Sequence, residues 1–167
     1  MTLWNRRQPK GQPTGGQYAA RHRDEDELVL IGEIGADLLE AGDRRTPSAR
    51  LSDLANSQYR SIRETVAANP RAFEETIRLL SFDDDPTVRA AILRNTAVTP
   101  RTVERLSADF DLTVRAAAAE HPYITKVSLQ VLAMDFEPAV RDAALTAMAD
   151  RVITEHTGVL SALGDEF

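Results

Sequence analysis

The stretch Asp109-Phe-Asp-Leu-Thr-Val-Arg-Ala116 has a counterpart 26 residues earlier and another 26 residues later in the chain. The earlier copy is Asp83-Asp-Asp-Pro-Thr-Val-Arg-Ala90, and the later copy is Asp135-Phe-Glu-Pro-Ala-Val-Arg-Asp142. A constant interval of roughly 20 to 50 residues is typical of proteins built from stacked repeats. The recurring stretch therefore predicts the architecture before any local motif is considered.

Each unit is expected to contain two short helices. Apolar residues stand three and four positions after the arginine, as Ile92 and Leu93 follow Arg89, which indicates a helix with one buried face. Apolar residues also stand 14 and 17 positions after it, as Val103 and Leu106 do, which suits a second short helix, α or 3₁₀. One such pair cannot bury its own apolar face, so neighbouring units must stack.

Turn signals separate the predicted helices. Asp85 followed by Pro86 predicts a helix start, with Asp as the N-cap and Pro at the first helical position. Asn69 precedes Pro70, and the residue before a proline is pushed out of the α region, so the first helix of that unit should end there.

We predict an all-α fold, a right-handed α-solenoid with a 26-residue repeat, in which residues 25–167 form one domain behind a disordered basic tail. The predicted parts are a tail at 1–24, an N-terminal cap at 25–56, repeats at 57–149 and a C-terminal cap at 150–167. Within the caps we expect a helix over 25–41 that ends at Gly42 as its C-cap, and a closing helix over 150–163.

The acid, the six-residue interval and the Val-Arg pair resemble the HEAT-like α-solenoids. The short period and the form seen from Asp109 to Ala116 are more similar to the leucine-rich repeat variant family, over about residues 46–150. That resemblance implies an α-helix alternating with a 3₁₀-helix in a right-handed superhelix. Founding members of that family are associated with an iron–sulfur cluster held by cysteines, but this chain has no cysteine, so we expect no cofactor.

A second resemblance concerns the N-terminal segment. Pro9-Lys-Gly-Gln-Pro-Thr-Gly-Gly-Gln-Tyr-Ala19 is similar to a leader found on many uncharacterised proteins of actinobacteria and their phages. The excess of arginine, 18 against 2 lysines, also suits a genome of high GC content.

Charge is unevenly distributed along the chain. Residues 1–23 hold five basic groups and no acid, whereas the remainder holds 15 basic and 26 acidic groups, a net charge of −11. An acidic body repels phosphate, so nucleic-acid binding is unlikely except through the tail. The sequence has no apolar run long enough for a membrane span and no signal-peptide core, so we expect a cytoplasmic protein, or one inside the host cell if phage-encoded.

The regularly spaced arginines and acids are the first candidate site, and we interpret them as a structural ladder that joins unit to unit. Its predicted members are Arg63, Arg89, Arg115, Arg141, Asp83, Asp109 and Asp135. A phosphate-binding track and a divalent-cation site at residues 83–85 are the alternatives, and we favour neither. We predict no metal site and no catalytic residue, because His22, His121 and His156 are scattered and the phosphate-loop and nucleophile-elbow motifs are missing from the sequence.

Aromatic residues are the second candidate site. Phe82, Phe110 and Phe136 fall beside the predicted unit junctions, where we expect them to stack inside the junction. The alternative is an exposed row that binds a partner, to which Trp4 and Tyr18 in the tail would be further candidates.

The function predicted from these patterns is noncatalytic protein–protein interaction through the surface of the solenoid. An alternative is an acidic protein of phage or mobile-element origin that mimics DNA and blocks a nucleic-acid-binding host protein. A DNA-repair enzyme built on HEAT-like repeats is the third class, and it is disfavoured because such an enzyme needs a basic groove.

Overall fold

The computed structural model describes the backbone of residues 31–164 and the side chains of residues 31–154. The chain divides into two compact parts, Met1–Ala36 and Asp37–Phe167. Of the first part, the structure describes the helical stretch 31–36. The predicted boundary between residues 24 and 25 lies outside the described residues and stays a prediction.

The described residues form helices joined by turns and short loops, without strands, which confirms the all-α class. A helix over 31–42, here α1, precedes eight further helices. These are α2 Ser48–Leu54, α3 Arg60–Ala68, α4 Glu74–Leu80, α5 Pro86–Ile92, α6 Pro100–Leu106, α7 Leu112–Glu120, α8 Lys126–Leu132 and α9 Pro138–Gly164. Within residues 31–164, no helix is both long enough and apolar enough to cross a bilayer.

The helices α5, α6, α7 and α8 each begin at a side-chain cap. The Asp85 carboxylate accepts the backbone N–H of Thr87 at 2.8 Å at the start of α5, and Asp111 does the same for Thr113 at the start of α7. Thr99 caps α6 through its hydroxyl, with Pro100 at the first helical position. Side-chain caps therefore satisfy the N–H groups that an isolated helix start would leave unpaired.

The core consists of apolar side chains on the packed faces of the helices. The odd-numbered helices α3, α5, α7 and α9 pack successively, and the even-numbered helices α4, α6 and α8 pack beside them. Twelve large apolar side chains are fully buried: Leu51, Ile62, Ile77, Leu80, Ile92, Leu106, Leu129, Val66, Val88, Val103, Val114 and Val140. Within the described residues, every buried side-chain nitrogen and oxygen has a hydrogen-bond partner.

Three details differ from the expectations. The second helix of each unit is an α-helix of seven residues, so the 3₁₀ alternative is wrong for α4, α6 and α8. Gly42 is the last helical residue of α1 and does not have the positive φ of a glycine C-cap. The carbonyls at that helix end instead accept hydrogen bonds from the Thr46 hydroxyl and the Asn69 amide.

The third difference is at the C-terminal end, where α9 runs without a break from Pro138 to Gly164. Residues 150–163 are helical, as expected for the closing helix, but they continue a helix that begins at Pro138. The physical reason is visible at Ala147 and Met148, which stand where an asparagine and a proline end α3 at Asn69-Pro70. Because no proline follows residue 147, residue 147 is not pushed out of the α region and the helix continues.

Candidate functional site

Three loops, here called the junction loops, are residues 83–85 between α4 and α5, 109–111 between α6 and α7, and 135–137 between α8 and α9. In each loop the first aspartate folds back on its own backbone and accepts the N–H of the residue two positions later, at 2.9 Å. The third residue of the first two loops caps the next helix. The middle residue (Asp84, Phe110 or Phe136) makes no side-chain hydrogen bond or ion pair among the described contacts and is exposed.

Arg89 and Arg115 each join two junction loops. Arg89 donates from Nε and Nη2 to the Asp109 carboxylate at 2.8 and 2.7 Å, and from Nη1 to the carbonyls of Asp83 and Asp84 at 2.7 and 3.1 Å. Arg63 and Arg115 repeat the bidentate arrangement with Asp83 and Asp135, respectively. The carboxylate partner thus lies 20 residues later, in the next junction loop, whereas the loop before the arginine supplies backbone carbonyls.

The ladder is largely enclosed by protein. In the Arg89–Asp109 pair the side chains are 14% and 6% exposed. Burial alone would raise the pKa of Asp109, but the hydrogen bonds from Arg89 and the Asp111 backbone outweigh it, and the pKa is lowered. The hydrogen bond to Asp109 likewise raises the pKa of Arg89. These guanidinium groups bind the protein itself, which favours the structural interpretation over a phosphate track.

Arg141 is the exception at the end of the ladder. Its Nη1 donates to the carbonyls of Asp135 and Phe136 at 2.7 and 2.9 Å, and the described contacts give it no bidentate carboxylate. Residue 161, where the next acid of the series would stand, is Ser161. Arg141 therefore keeps the two contacts to the carbonyls of its own junction loop, and the described contacts show no carboxylate partner for it.

A second ladder, made of asparagines, was missed in the sequence. Asn95 is buried and donates from its amide to the carbonyls of Ala67 and Asn69 at 2.8 and 2.7 Å, while its oxygen accepts the N–H of Ala97 at 2.8 Å. Asn69 makes the equivalent contacts to Ala41 and Asp43. Asn69 and Asn95 are 26 residues apart in the sequence. That spacing indicated only the end of a helix and not the hydrogen bonds that the two asparagines make.

His121 takes the position of the asparagine in the third unit. Its Nδ1 accepts the N–H of Tyr123 at 3.1 Å, as the asparagine oxygens accept the N–H two positions later. Burial lowers the pKa of His121, which favours the neutral ring that can accept this hydrogen bond. A turn-forming role explains these contacts.

The aromatic residues of the junction loops do not stack inside the junction, so that prediction is wrong. Phe110 and Phe136 are completely exposed, at 102% and 98%. Phe82 is also exposed and lies under the guanidinium of Arg105, whose carbon is 4.3 Å from the ring centroid. The first aspartate and both loop carbonyls are held by arginines, and this arrangement turns the middle side chain outward. Trp4 and Tyr18 lie outside the described residues.

Exposed aliphatic residues also lie on α8 and in the turn that follows it. Val127 and Val131 are one helical turn apart and share one face of α8, and Met134 lies in the turn before the last junction loop. We call Phe110, Val127, Val131, Met134 and Phe136 the apolar edge. All five side chains are more than half exposed.

Shallow cavities lie on the surface formed by the odd-numbered helices. One of about 340 Å³ is lined by residues that include Arg94, His121 and Tyr123, and another of about 430 Å³ includes Glu120 and Arg151. Within the described residues, no three His, Asp or Glu side chains are arranged to hold a metal ion. Asp83 and Asp85, considered above as cation ligands, are engaged by Arg63 and by the start of α5.

Comparison with known proteins adds no relative. No protein-family model matches the chain, and neither the curated proteins nor the solved structures include one with significant similarity.

Proposed function

We propose that residues 37–167 form an α-solenoid of 26-residue units and act as a noncatalytic protein-binding module. The repeated arginine–aspartate contacts between junction loops and the successive packing of α3, α5, α7 and α9 support the solenoid. The resemblance to the leucine-rich repeat variant family supports it further, although the second helices are α rather than 3₁₀.

One observation carries the proposed function: two phenylalanines are held fully in solvent on loops whose backbone is fixed by arginines. Leaving a phenylalanine in water forgoes about 1.5–3 kcal/mol of burial free energy. Rigidly displayed aromatic side chains are the typical anchors of protein interfaces, because little conformational entropy is lost when they bind. The apolar edge is therefore the binding surface that we propose.

Affinity capture with a matched set of variants tests this function. The full chain, the double variant Phe110→Ser/Phe136→Ser and the control Phe73→Thr are used as baits in extracts of the source cells. Phe73 is also exposed, but it caps α4 at the position that Thr99 and Thr125 occupy in later units. A protein retained by the full chain and the control but lost by the double variant supports the proposal; identical captures by all three contradict it.

A second candidate, an acidic protein that mimics DNA, is favoured by the charge of the body. Residues 24–167 carry 26 acidic and 15 basic groups, and Asp84 and Glu137 are exposed beside the junction loops. A captured protein that duplex DNA displaces, and that the two phenylalanine substitutions leave bound, would favour this alternative. Its complex should also dissociate steeply with added salt.

A further inference from the structure

The apolar edge is surrounded by acidic side chains, and this charge indicates what binds there. The junction loops and the arginines that hold them contain seven acids (Asp83, Asp84, Asp85, Asp109, Asp111, Asp135 and Glu137) and four arginines (Arg63, Arg89, Arg115 and Arg141), a net charge of −3. The first acid of each loop is already neutralised by its ladder arginine. The remaining negative charge lies on the middle and third positions, beside the exposed phenylalanines.

Nearby basic side chains offset only part of that charge. Arg60 pairs with the Asp85 carboxylate at 3.9 Å, whereas the guanidinium of Arg105 covers the Phe82 ring and donates to the carbonyl of Ser81. Burial lowers the pKa of Arg105, as expected for a group enclosed by its neighbours. The surface that a partner meets is therefore apolar with an acidic margin.

The surface also has a direction along the stack. Val131, Met134 and Phe136 stand at the last junction, Phe110 stands one unit earlier, and Asp84 occupies the same loop position one unit before that. Packed helices lie about 8–10 Å apart, so the acidic and apolar ends are roughly 20 Å apart. An extended peptide covers that distance with about six residues.

We propose that the apolar edge binds a basic protein segment that carries an apolar anchor, with its lysines or arginines about six residues away from the anchor. The proposal rests on the protein-binding function proposed above. Charge complementarity selects this occupant, because a second copy of the chain would place like acids against each other at the same edge. The anchor contacts Phe136 and Met134, and the basic side chains contact Asp84, whose carboxylate is exposed.

Selection from a library of displayed random peptides tests the chemistry of the partner. Peptides long enough to span three junction loops are selected on the full chain and counter-selected on Phe110→Ser/Phe136→Ser. The strongest peptide is synthesised with a fluorophore, and its Kd is measured by anisotropy. We expect enriched peptides of net positive charge, with one apolar cluster separated from the basic residues.

Variants of the protein show how much the phenylalanines and the acidic side chain of Asp84 each contribute to peptide binding. Each Phe→Ser substitution should raise Kd about tenfold, the loss of one buried aromatic contact. Asp84→Asn should raise Kd several-fold at low salt and flatten its salt dependence, while Phe73→Thr should leave Kd unchanged. Circular dichroism checks that each variant keeps its helix content, which is expected because the replaced side chains are exposed.

The outcomes separate this inference from the proposed function. Peptides that depend on the phenylalanines but are uncharged or acidic would overturn the basic partner and leave the protein-binding function in place. If no enriched peptide depends on the phenylalanines, the apolar edge is not a docking surface and both proposals are wrong.

Discussion

Breaking the ladder in its middle should cost more stability than breaking it at its end. Arg115 makes two hydrogen bonds to the Asp135 carboxylate, at 2.8 and 3.0 Å, and two to the carbonyls of Asp109 and Phe110, both at 2.9 Å. Arg141 makes the two carbonyl bonds of its own loop. The pair Arg115→Ala and Arg141→Ala therefore isolates the carboxylate contact.

The magnitude follows from the burial of the pair. Exposed ion pairs contribute about 0–1 kcal/mol, whereas removing one partner of a buried pair costs about 3–5 kcal/mol. With side chains that are 16% and 12% exposed, the Arg115–Asp135 pair falls near the lower end of the buried class. We expect Arg115→Ala to lower the free energy of unfolding by about 3 kcal/mol and Arg141→Ala by about 1 kcal/mol.

Urea unfolding followed by far-UV circular dichroism measures both values. A double-mutant cycle with Asp135→Ala should give a coupling energy of about 1.5 kcal/mol or more, since the two side chains contact each other directly. If Arg115→Ala costs no more than Arg141→Ala, the carboxylate pairs contribute nothing to the stack. The interpretation of the arginines as a structural ladder would then be wrong.

Three further predictions concern the asparagine ladder and pH. Asn95→Ala should lower the free energy of unfolding by about 2–3 kcal/mol, because it removes three hydrogen bonds, two of them buried. Asn56→Ala, which removes one hydrogen bond of an exposed side chain, should cost under about 0.5 kcal/mol by the same urea assay. His121→Asn should abolish a pH dependence: since the folded pKa of His121 is lowered, its contribution is present above the unfolded pKa of about 6.5 and is lost as pH falls below it. The melting temperature should fall as pH is lowered through that range in the parent protein and should stay constant in the variant. The pKa of Asp135 is lowered in the folded protein, mainly by its hydrogen bond with Arg115. Its contribution to the free energy of unfolding is therefore present above about pH 3.9 and is lost as pH falls through the folded pKa. Asp135→Asn should accordingly reduce the fall in melting temperature in acid.

Much of the local structure could be predicted from the sequence, because the relevant interactions are short in range. The helix starts at Asp85 and Asp111 depend on residues two positions away, and the buried positions follow helical periodicity. The all-α class is confirmed on these grounds. The continuity of α9 was open to the same reasoning, since the residues that end α3 are missing at 147 and 148.

The sequence predicted a ladder of arginines and aspartates, but it could not predict which residue each recurring polar side chain contacts, because a period shows which residues recur and not how they pair. The arginine finds its carboxylate 20 residues later, and the asparagine finds carbonyls 26 and 28 residues earlier. These separations along the sequence depend on how neighbouring units pack. The aromatic residues were placed wrongly because apolar character favours burial in general. The counter-signal was Asp84, since a position that holds an acid in one unit and phenylalanine in the next two is a solvent position.

The middle position of the junction loop should therefore accept substitution without loss of stability. Its backbone carbonyl is bound by the ladder arginine whatever the side chain is, as Arg89 binds the carbonyl of Asp84 and Arg115 that of Phe110. Asp84→Phe should leave the free energy of unfolding within about 0.5 kcal/mol of the parent, as expected for an exposed site. It should also extend the apolar surface by one unit, which an increase in the fluorescence of a bound apolar dye would detect. A loss of stability above about 1 kcal/mol would mean that the side chain helps to hold the loop. In that case the division between a constant backbone ladder and a variable display position would be wrong.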